Sequence, residues 1–384
     1  MALAFLACLS LAVWIYLLIA RGRFWQVSRS LPQINTAGLP ARRVAIIIPA
    51  RNEAESIGQT ITSLLKQDFP SPIHIFLVDD SSTDGTADAA RAAANHAGMS
   101  ERLTIIRAAP LPPGWTGKMW AVSQGIAPAL ANNPDYLLLT DADIVHGSRT
   151  MSQLVSIAET GAYDLASYMA LLACRTPAEK ALIPAFVFFF LMLYPPAWIS
   201  SAKSRIAGAA GGCILVRPAA LARAGGIEAI RSQVIDDCAL AAAVKRSSGR
   251  IWLGLTREAR SIRSYETFAE VERMIARTAF NQLRHSAWLL AGTAVGLGIT
   301  YLAPPLLLLS GRSAPAALGA IAWALMASAY LPMVRFYKQS PLWAIALPAI
   351  AAFYTFATIH SALRYWRGTG GTWKGRVQDS PKAT

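Results

Sequence analysis

In Leu137-Leu-Leu-Thr-Asp-Ala-Asp-Ile-Val-His-Gly147, an apolar run ends abruptly in two carboxylates. The apolar part predicts a buried parallel strand, because strands covered on both faces are continuously apolar. Asp141 and Asp143 are separated by one residue, so in an extended chain they point to the same side. Ligands of open α/β sheets bind beyond the carboxyl ends of the strands. The pair therefore predicts a Mg²⁺ or Mn²⁺ ion that carries a phosphate. Two solvated aspartates at a strand end are the alternative.

Upstream of this stretch, predicted strands alternate with predicted helices. Apolar runs at 44–48, 73–78 and 103–106 predict three strands, and the segments between them have helical spacing. Such alternation predicts a mainly parallel sheet with right-handed crossovers. Polar side chains follow the first, second and fourth strands: Asn52 and Glu53, Asp79 and Asp80, and Asp141 and Asp143. Neither G-x-G-x-x-G nor G-x-x-x-x-G-K-[ST] occurs, which argues against ordinary dinucleotide and P-loop sites.

The composition indicates a membrane protein with a soluble part. The 384 residues are 54% hydrophobic and only 15% charged, whereas soluble domains carry roughly 25% charged residues. The net charge of +14 would also suit a nucleic-acid binder. The basic residues lie beside apolar segments, however, so we expect a membrane partner and no nucleic acid. The four scattered cysteines predict reduced thiols, with neither a disulfide framework nor a zinc site.

Charge and apolar length divide the chain into five parts. Residues 2–20 are uncharged and long enough to span a bilayer. Arginines follow this run, which predicts a retained anchor with the next domain in the cytosol. We predict an anchor at 1–21, a linker at 22–42, an α/β domain at 43–286, membrane helices at 287–363 and a basic tail at 364–384.

The C-terminal third contains three more apolar stretches that are long enough to span, at 287–309, 314–334 and 341–363. Three spans would place the C-terminus outside, but the basic tail favours the inside. We therefore expect one stretch to be re-entrant or interfacial, and the proline-interrupted 287–309 is the candidate. The shorter run 186–193 predicts a helix at the membrane interface or along an apolar acceptor groove, with a core helix as the alternative.

Three further features lie in the second half of the α/β domain. The glycine-rich segment 208–212 would let backbone approach a ligand closely. Asp236 and Asp237 stand at the start of a helix predicted at 239–247, and an N-cap pair is the plain alternative. Residues 267–286 have helical spacing with arginines alongside, which predicts one helix at the headgroup layer.

The order PARNE, DDSSTDGT, GWTGK, TDAD and IDDCAL, followed by a basic amphipathic segment, resembles the family 2 glycosyltransferases of the GT-A fold. The resemblance covers roughly residues 43–286. Within that family, Gly114–Lys118, 276–284 and 371–376 are most similar to the bacterial hopanoid-biosynthesis-associated glycosyltransferases, neighbours of the carotenoid glycosyltransferases. The resemblance implies a multi-pass protein of the bacterial inner (cytoplasmic) membrane with a cytosolic catalytic domain.

The resemblance also implies a role for each matching residue. Asp143 would ligate Mg²⁺ or Mn²⁺, and Asp141 would contact the ribose of a nucleotide-sugar donor or a metal-bound water. Asp237 would be the general base, and its neighbour Asp236 would raise its pKa by charge repulsion. Lys118 would reach the base or diphosphate, with a solvated loop lysine as the alternative. The remaining donor contacts would come from Pro49, Ala50, Asn52, Glu53 and Asp80.

One family signature, Q-x-x-R-W, is not intact. In Gln282-Leu-Arg-His-Ser286 the arginine is the second residue after glutamine, and no tryptophan follows. In the family this signature belongs to processive polymer synthases, so its absence favours a single transfer. The resemblance further implies an inverting reaction, with a UDP-sugar as donor and a lipid such as a hopanoid as acceptor. Gln282 and Arg284 remain candidates for diphosphate contacts, and a membrane-surface role is the alternative for Arg284. The competing functions are transfer to a polyprenyl phosphate or a diacylglycerol, and a non-catalytic scaffold of a lipid pathway.

Overall fold

The computed structural model of the chain describes residues 1–31, 34, 36, 38–373 and 376–377. Its main sheet contains eight strands: β1 Val44–Ala50, β2 Ile73–Asp79, β3 Leu103–Arg107, β4 Tyr136–Leu139, β5 Ile144–His146, β6 Leu165–Leu171, β7 Ile214–Val216 and β8 Ile251–Ser261. They are arranged in the order β3-β2-β1-β4-β7-β6-β8-β5. The first four strands of that order are parallel, and β6 is parallel to β8. The strand β7 is antiparallel to both neighbours, and β5 is antiparallel to β8.

The helices fall into those of the α/β domain and those of an apolar bundle. The first group is α2 Ala54–Leu65, α3 Thr86–His96, α4 Gly117–Ala131, α5 Thr150–Thr160, α6 Pro177–Leu193, α7 Pro196–Ile199, α8 Pro218–Arg223, α9 Asp236–Arg246, α10 Phe268–Ala276 and α11 Ala279–Gln282. The second group is α1 Ala2–Ile19, α12 Ala287–Leu297, α13 Ala303–Leu308, α14 Ser313–Phe336, α15 Leu342–Ile345 and α16 Leu347–Trp366. A short hairpin, β9 Thr372–Trp373 and β10 Arg376–Val377, follows.

Helices on both faces of the sheet explain why β1 is apolar at every position. Ile46 and Ile48 pack into a cluster with Ile57 of α2 and residues of α3 and α5. Ala45 and Ile47 face the other way and join a cluster with Met119 of α4 and residues of α9. Helices cover both faces of the sheet, so neither face of β1 contacts water. An alternation of apolar and polar residues along the strand is therefore not required. The predicted α/β class and mainly parallel sheet are therefore confirmed.

The single helix predicted over 267–286 is wrong. The helix α10 ends at Ala276, the short α11 ends at Gln282, and Arg284 and His285 have left-handed φ angles of 51° and 55°. The hydroxyl of Ser361 on α16 accepts a hydrogen bond from the Phe280 amide and donates one to the Ala276 carbonyl. Since a side chain of another helix satisfies these backbone groups, the local helical pattern is interrupted there.

Four segments among the described residues are long and apolar enough to cross a membrane: Ala2–Ile19, Pro177–Ile199, Ala287–Leu308 and Ser313–Phe336. The prolines expected to interrupt the third segment are accommodated by a π-helical turn at Gly298–Leu302, so helix continues to Leu308. The predicted stretch 341–363 forms α15 and α16, which are not among the four. Residues 374–375 and 378–384 of the predicted basic tail lie outside the described residues.

The apolar run 186–193 belongs to a longer helix than its sequence predicts. The helix α6 begins at Pro177 because Thr176 and Glu179 form a capping box there. Half of the apolar segment Pro177–Ile199 is buried within the chain. Phe188 contacts Phe24, just after α1, and Tyr330 of α14 at ring distances of 5.2 Å and 5.1 Å. This helix therefore lies between the sheet and the apolar bundle.

Replacing Gly125 with alanine should lower the unfolding temperature of the detergent-solubilised protein. An added Cβ would lie 2.7 Å from Ile47 Cγ2 and 3.0 Å from Val78 Cγ2, so α4 would have to move away from β1 and β2. Overpacking costs about 1–3 kcal/mol, which exceeds the gain of about 1 kcal/mol from helix propensity. Gly58→Ala is the matched control, because its Cβ would meet nothing closer than 3.9 Å. Equal shifts for both variants would contradict this packing argument.

Candidate functional site

A cleft of about 390 Å³ opens beyond the carboxyl ends of β1 and β4. Its polar wall combines residues from distant parts of the chain. These are Glu53 after β1, Lys118 in the first turn of α4, Asp141 and Asp143 after β4, Asp236 and Asp237 in the first turn of α9, and Arg263 after β8. Glu53, Asp141 and Asp143, which were predicted at the ends of the first and fourth strands, are thus brought together with the Asp236–Asp237 pair.

Lys118 joins the two acidic regions of the cleft. Its Nζ lies 2.9 Å from Asp141 Oδ1 and 3.1 Å from Asp236 Oδ2. Burial lowers the pKa of Lys118, but the two carboxylates outweigh burial and raise it, so the side chain stays charged. Thr116 caps α4 by accepting a hydrogen bond from the Met119 amide, which fixes the turn that carries Lys118. The alternative of a solvated loop lysine is therefore wrong.

A second cation, Arg263, holds the other carboxylates. Its Nε donates to Asp143 Oδ2 at 2.8 Å, and its Nη2 donates to Glu53 Oε1 at 2.7 Å. Burial and the neighbouring Asp141 raise the pKa of Asp143, while Arg263 lowers it, and the net shift is upward. Arg263 belongs to no sequence motif and was not among the predicted site residues. Its position just after β8, a strand that ends at the cleft, is the feature that could have indicated a site residue.

Asp237 is oriented by two backbone amides. Gly211 N donates to its Oδ2 at 2.9 Å, and Cys238 N donates to its Oδ1 at 2.7 Å. Burial, followed by repulsion from Asp236, raises the pKa of Asp237 to about 6, against the lowering effect of Lys118. The helix α9 begins at Asp236, and its N-cap position is Ile235. Neither aspartate is therefore the N-cap residue, although Asp237 accepts a hydrogen bond from a first-turn amide of the helix.

At Gly211 the glycine-rich segment comes close to two side chains of the cleft, whereas its approach to a ligand stays a prediction. A Cβ at this position would lie 3.3 Å from Lys118 Nζ and 3.5 Å from Asp237 Oδ2. The distance to Lys118 Nζ is shorter than most Cβ contacts, whereas the distance to Asp237 Oδ2 is an ordinary van der Waals contact. Glycine thus allows the backbone amide to reach the Asp237 carboxylate while Lys118 stays in place.

Several predicted residues lie beside the cleft rather than in its wall. Ala50 is fully buried in β1. Asn52 accepts a hydrogen bond from the Thr83 amide and so fixes the loop after β2. Asp80 is 2% exposed, with Arg51 Nη1 at 3.7 Å from its Oδ2. Two residues of the first-strand motif, Pro49 and Glu53, are among the described residues that line the cleft.

Gln282 and Arg284 are also absent from the described residues that line the cleft. Gln282 Nε2 donates to the Tyr194 hydroxyl at 2.7 Å. Instead, the segment just before α11 supplies Arg277 and Thr278 to the cleft. The break between α10 and α11 explains the difference, because it turns the following residues away from a common helical face.

The carboxylates of the cleft suit a hard divalent cation, although they would complete only part of its coordination. In the part of the chain that the structure describes, no three His, Cys, Asp or Glu side chains are placed to hold a metal ion together. Mg²⁺ is commonly bound through one or two carboxylates plus phosphate oxygens and water. Asp141 and Asp143 fit that arrangement. Each is paired with a cation, so a metal ion would have to replace Lys118 or Arg263 as the partner.

The opposite wall of the cleft is apolar and belongs to α6. Phe186 and Phe190 line this wall together with Met274 of α10. On its other side, α6 packs into the bundle: Phe189 contacts Tyr354 of α16 at a ring distance of 4.8 Å. One helix therefore forms both a wall of the cleft and part of the apolar bundle.

Glu179 fixes the start of α6 to the loop that carries Arg263. Its side chain is fully buried. Its Oε2 accepts hydrogen bonds from the amides of Arg175 and Thr176, and its Oε1 accepts one from the Tyr265 amide at 2.7 Å. The Thr176 hydroxyl donates to the Tyr265 carbonyl at 2.8 Å. The Glu179 carboxylate thus positions both the loop that carries Arg263 and the start of α6, which forms the apolar wall.

Glu179→Gln should lower the unfolding temperature and speed hydrogen exchange over 262–265. An amide offers one acceptor oxygen where the carboxylate offers two, so bonds to buried backbone amides are lost, at a cost of about 1–3 kcal/mol. Glu270→Gln is the matched control, since Glu270 occupies the same capping-box position in α10 with a side chain that is 36% exposed. If Glu270→Gln lowered the unfolding temperature as much as Glu179→Gln does, the argument that burial makes the Glu179 hydrogen bonds more important would be contradicted.

Known proteins resemble this chain in sequence and in fold. Residues 45–223 match the family model described as Glycosyl transferase family 2. A 4,4'-diaponeurosporenoate glycosyltransferase of Staphylococcus aureus (strain USA300) is 34% identical over 104 residues, which are 27% of this chain and 24% of that protein. The match thus spans about a quarter of the curated relative.

A mannosyltransferase from Pyrobaculum calidifontis, solved in complex with GDP-Man and Mn²⁺, covers 94% of this chain and 99% of its own. Its TM-score is 0.57 at 18% sequence identity, a likeness that shows a shared fold. The chain therefore has a GT-A-type fold with several apolar helices attached, and its residues 45–223 match the family 2 glycosyltransferase model.

Proposed function

We propose that this chain is a membrane-bound inverting glycosyltransferase that moves one sugar from a nucleotide-sugar donor to a lipid acceptor. The observation that carries the proposal is the position of Lys118 between Asp141 and Asp236. This contact brings the proposed donor side and the proposed base side of the cleft within reach of one ammonium group. The family 2 match over residues 45–223 supports the same reaction class.

The proposed donor is a UDP-sugar whose diphosphate lies beside Lys118 and Arg263. Both side chains are cationic, and both line the cleft. A divalent metal, Mg²⁺ or Mn²⁺, held by Asp143 and Asp141 would neutralise charge on the departing diphosphate. The solved mannosyltransferase contains Mn²⁺ with its nucleotide sugar, which supports a metal here. We assign the ribose and base contacts to Pro49, Ala50, Asn52, Glu53 and Asp80.

Asp237 is the proposed general base. Its carboxylate takes the proton of the acceptor hydroxyl while that oxygen forms a bond to the anomeric carbon. The bond from the anomeric carbon to the phosphate oxygen breaks, and its electron pair leaves with the nucleoside diphosphate. A single displacement of this kind inverts the configuration at the anomeric carbon. The amides of Gly211 and Cys238 orient Asp237, and Asp236 helps to raise its pKa into a useful range.

The apolar wall of the cleft supports a lipid acceptor. Phe186 and Phe190 would contact the hydrocarbon part of an acceptor whose hydroxyl reaches Asp237. Because α6 also packs against the bundle, such an acceptor can approach from the membrane side. We propose a hopanoid, on the similarity of Gly114–Lys118 and 276–284 to hopanoid-associated enzymes. The curated relative is named for transfer to 4,4'-diaponeurosporenoate.

We also infer that the α/β domain, at 43–286, faces the cytosol of a bacterial cell. Arg21, Arg23 and Arg29 directly follow the apolar helix α1. Basic residues beside a span favour its cytosolic side. The anchor at 1–21 and the helices within 287–363 would then hold the domain at the inner membrane.

Calorimetric titration of UDP into the detergent-purified chain tests the donor site. Binding should be tighter with Mn²⁺ than without it, and Asp143→Ala should remove the metal-dependent part. Asp88→Ala is the control, since Asp88 is an exposed aspartate of α3 paired with Arg91. Failure of the wild-type chain to bind UDP with or without Mn²⁺ would exclude a UDP-sugar donor.

The pH dependence of kcat/KM for the acceptor tests the base. Asp237 must be deprotonated to accept a proton, so activity should fall as pH decreases through about 6, its raised pKa. Lys118→Met should move this fall to higher pH, because Lys118 lowers the pKa of Asp237. Asp237→Asn should reduce kcat by about 10²–10⁴-fold while UDP binding persists. An unchanged acid limb in Lys118→Met would remove Asp237 as the titrating group.

A further inference from the structure

A second cavity, of about 510 Å³, lies where α1 ends. It shares no described lining residue with the cleft. One side is formed by the end of α1 and the turn after it, the other by α7, and the floor by Trp252 and Leu253 of β8. We call this cavity the juxtamembrane pocket. Its volume is in the range of small-molecule sites, roughly 300–1,000 Å³.

The pocket lies at the depth where the apolar surface gives way to polar groups. Ile19, the last residue of a helix long and apolar enough to span a membrane, lines it and is 73% exposed. The next polar side chains of the lining are Arg23 and Gln26, and Trp198 lines the pocket from α7. Tryptophan and arginine concentrate at the headgroup layer of bilayers. With α1 in a membrane, the pocket therefore opens into that layer.

The walls of the pocket are held firmly in place. Arg21 donates from Nε to the Met192 carbonyl at 3.0 Å and stacks on the Trp198 ring at 4.8 Å. Gly22 has a φ of +61°, and a Cβ there would lie 2.8 Å from Pro195 Cβ, so glycine permits this close approach. The end of α1 is thus fixed against the end of α6 and the start of α7.

The pocket is positively charged and contains an unused polar atom. Arg23 and Arg29 both line it and are both exposed, and the described lining residues include no Asp or Glu. Within the described part of the chain, neither arginine forms an ion pair. The Oε1 of Gln26 is buried and has no hydrogen-bond partner among the described residues. A buried acceptor without a partner points to a ligand that can donate to it.

We propose that the juxtamembrane pocket binds the headgroup of an anionic phospholipid of the surrounding membrane. The phosphate lies between the guanidinium groups of Arg23 and Arg29, which suit phosphate oxygens. A hydroxyl of a glycerol headgroup donates to Gln26 Oε1. The acyl chains continue past Ile19 along the exposed face of α1. This proposal requires α1 to lie in a membrane, but it does not require sugar transfer.

Native mass spectrometry of the full chain in detergent tests the proposal without any donor or acceptor sugar. The probes are phosphatidylglycerol and phosphatidylcholine with identical acyl chains. The wild-type chain should bind one phosphatidylglycerol about tenfold more tightly than phosphatidylcholine. Arg23→Gln/Arg29→Gln should weaken phosphatidylglycerol binding by about 30-fold, the loss expected from two arginine contacts at a membrane surface.

Two further variants separate the pocket from general charge attraction and from misfolding. Arg364→Gln/Arg367→Gln removes the same charge at the end of α16 and should leave binding unchanged. Ala197→Trp keeps every charge but fills the pocket from α7, and it should abolish the preference for phosphatidylglycerol. Unfolding temperatures without lipid show whether each variant is folded. Equal affinity for both lipids, equal loss in both arginine variants, or full binding by Ala197→Trp would each overturn the proposal.

Discussion

The ammonium of Lys118 lies between carboxylates that come from two distant segments of the chain. Asp141 follows the central strand β4, whereas Asp236 opens α9, and both would repel each other without a cation between them. Arg263 does the same for Asp143 and Glu53. Removing one partner of such a pair leaves an uncompensated charge, so the wall of the cleft depends on both cations. In the proposed reaction, Lys118 and Arg263 would pair with the diphosphate of the donor, and Asp141 and Asp143 would then be available to hold a metal ion.

The parts of this architecture that depend on local pattern could be predicted from the sequence. The strands β1 to β4 are mainly apolar, and the polar residues that follow β1 and β4 meet at the cleft because parallel strands end at one edge. The broken helix at α10 and α11 could not be predicted, since its cause is Ser361, far along the chain on α16. Likewise β5 has three residues and pairs with the far end of β8, so it carries no periodicity of its own.

The same distinction applies within the cleft. Asp141, Asp143 and Asp237 could be identified because each belongs to a short motif in a fixed order. Arg263 belongs to none, and its partners Glu53 and Asp143 lie far before it in the chain. If α9 began one residue later, Asp236 would be its N-cap residue. The residue at which α9 begins is set by the folded backbone and could not be read from the sequence. The roles assigned to Ala50, Asn52 and Asp80 in donor binding remain predictions.

The position of α6 has a kinetic consequence. This helix is at once a wall of the cleft and a packing partner of α14 and α16. A lipid acceptor that reaches Asp237 along such a helix never has to dissolve in water. Its encounter with the chain is then a two-dimensional diffusion event. The concentration that matters is the mole fraction of acceptor in the bilayer, and diluting that bilayer with inert lipid slows transfer even when the total amount of acceptor is constant.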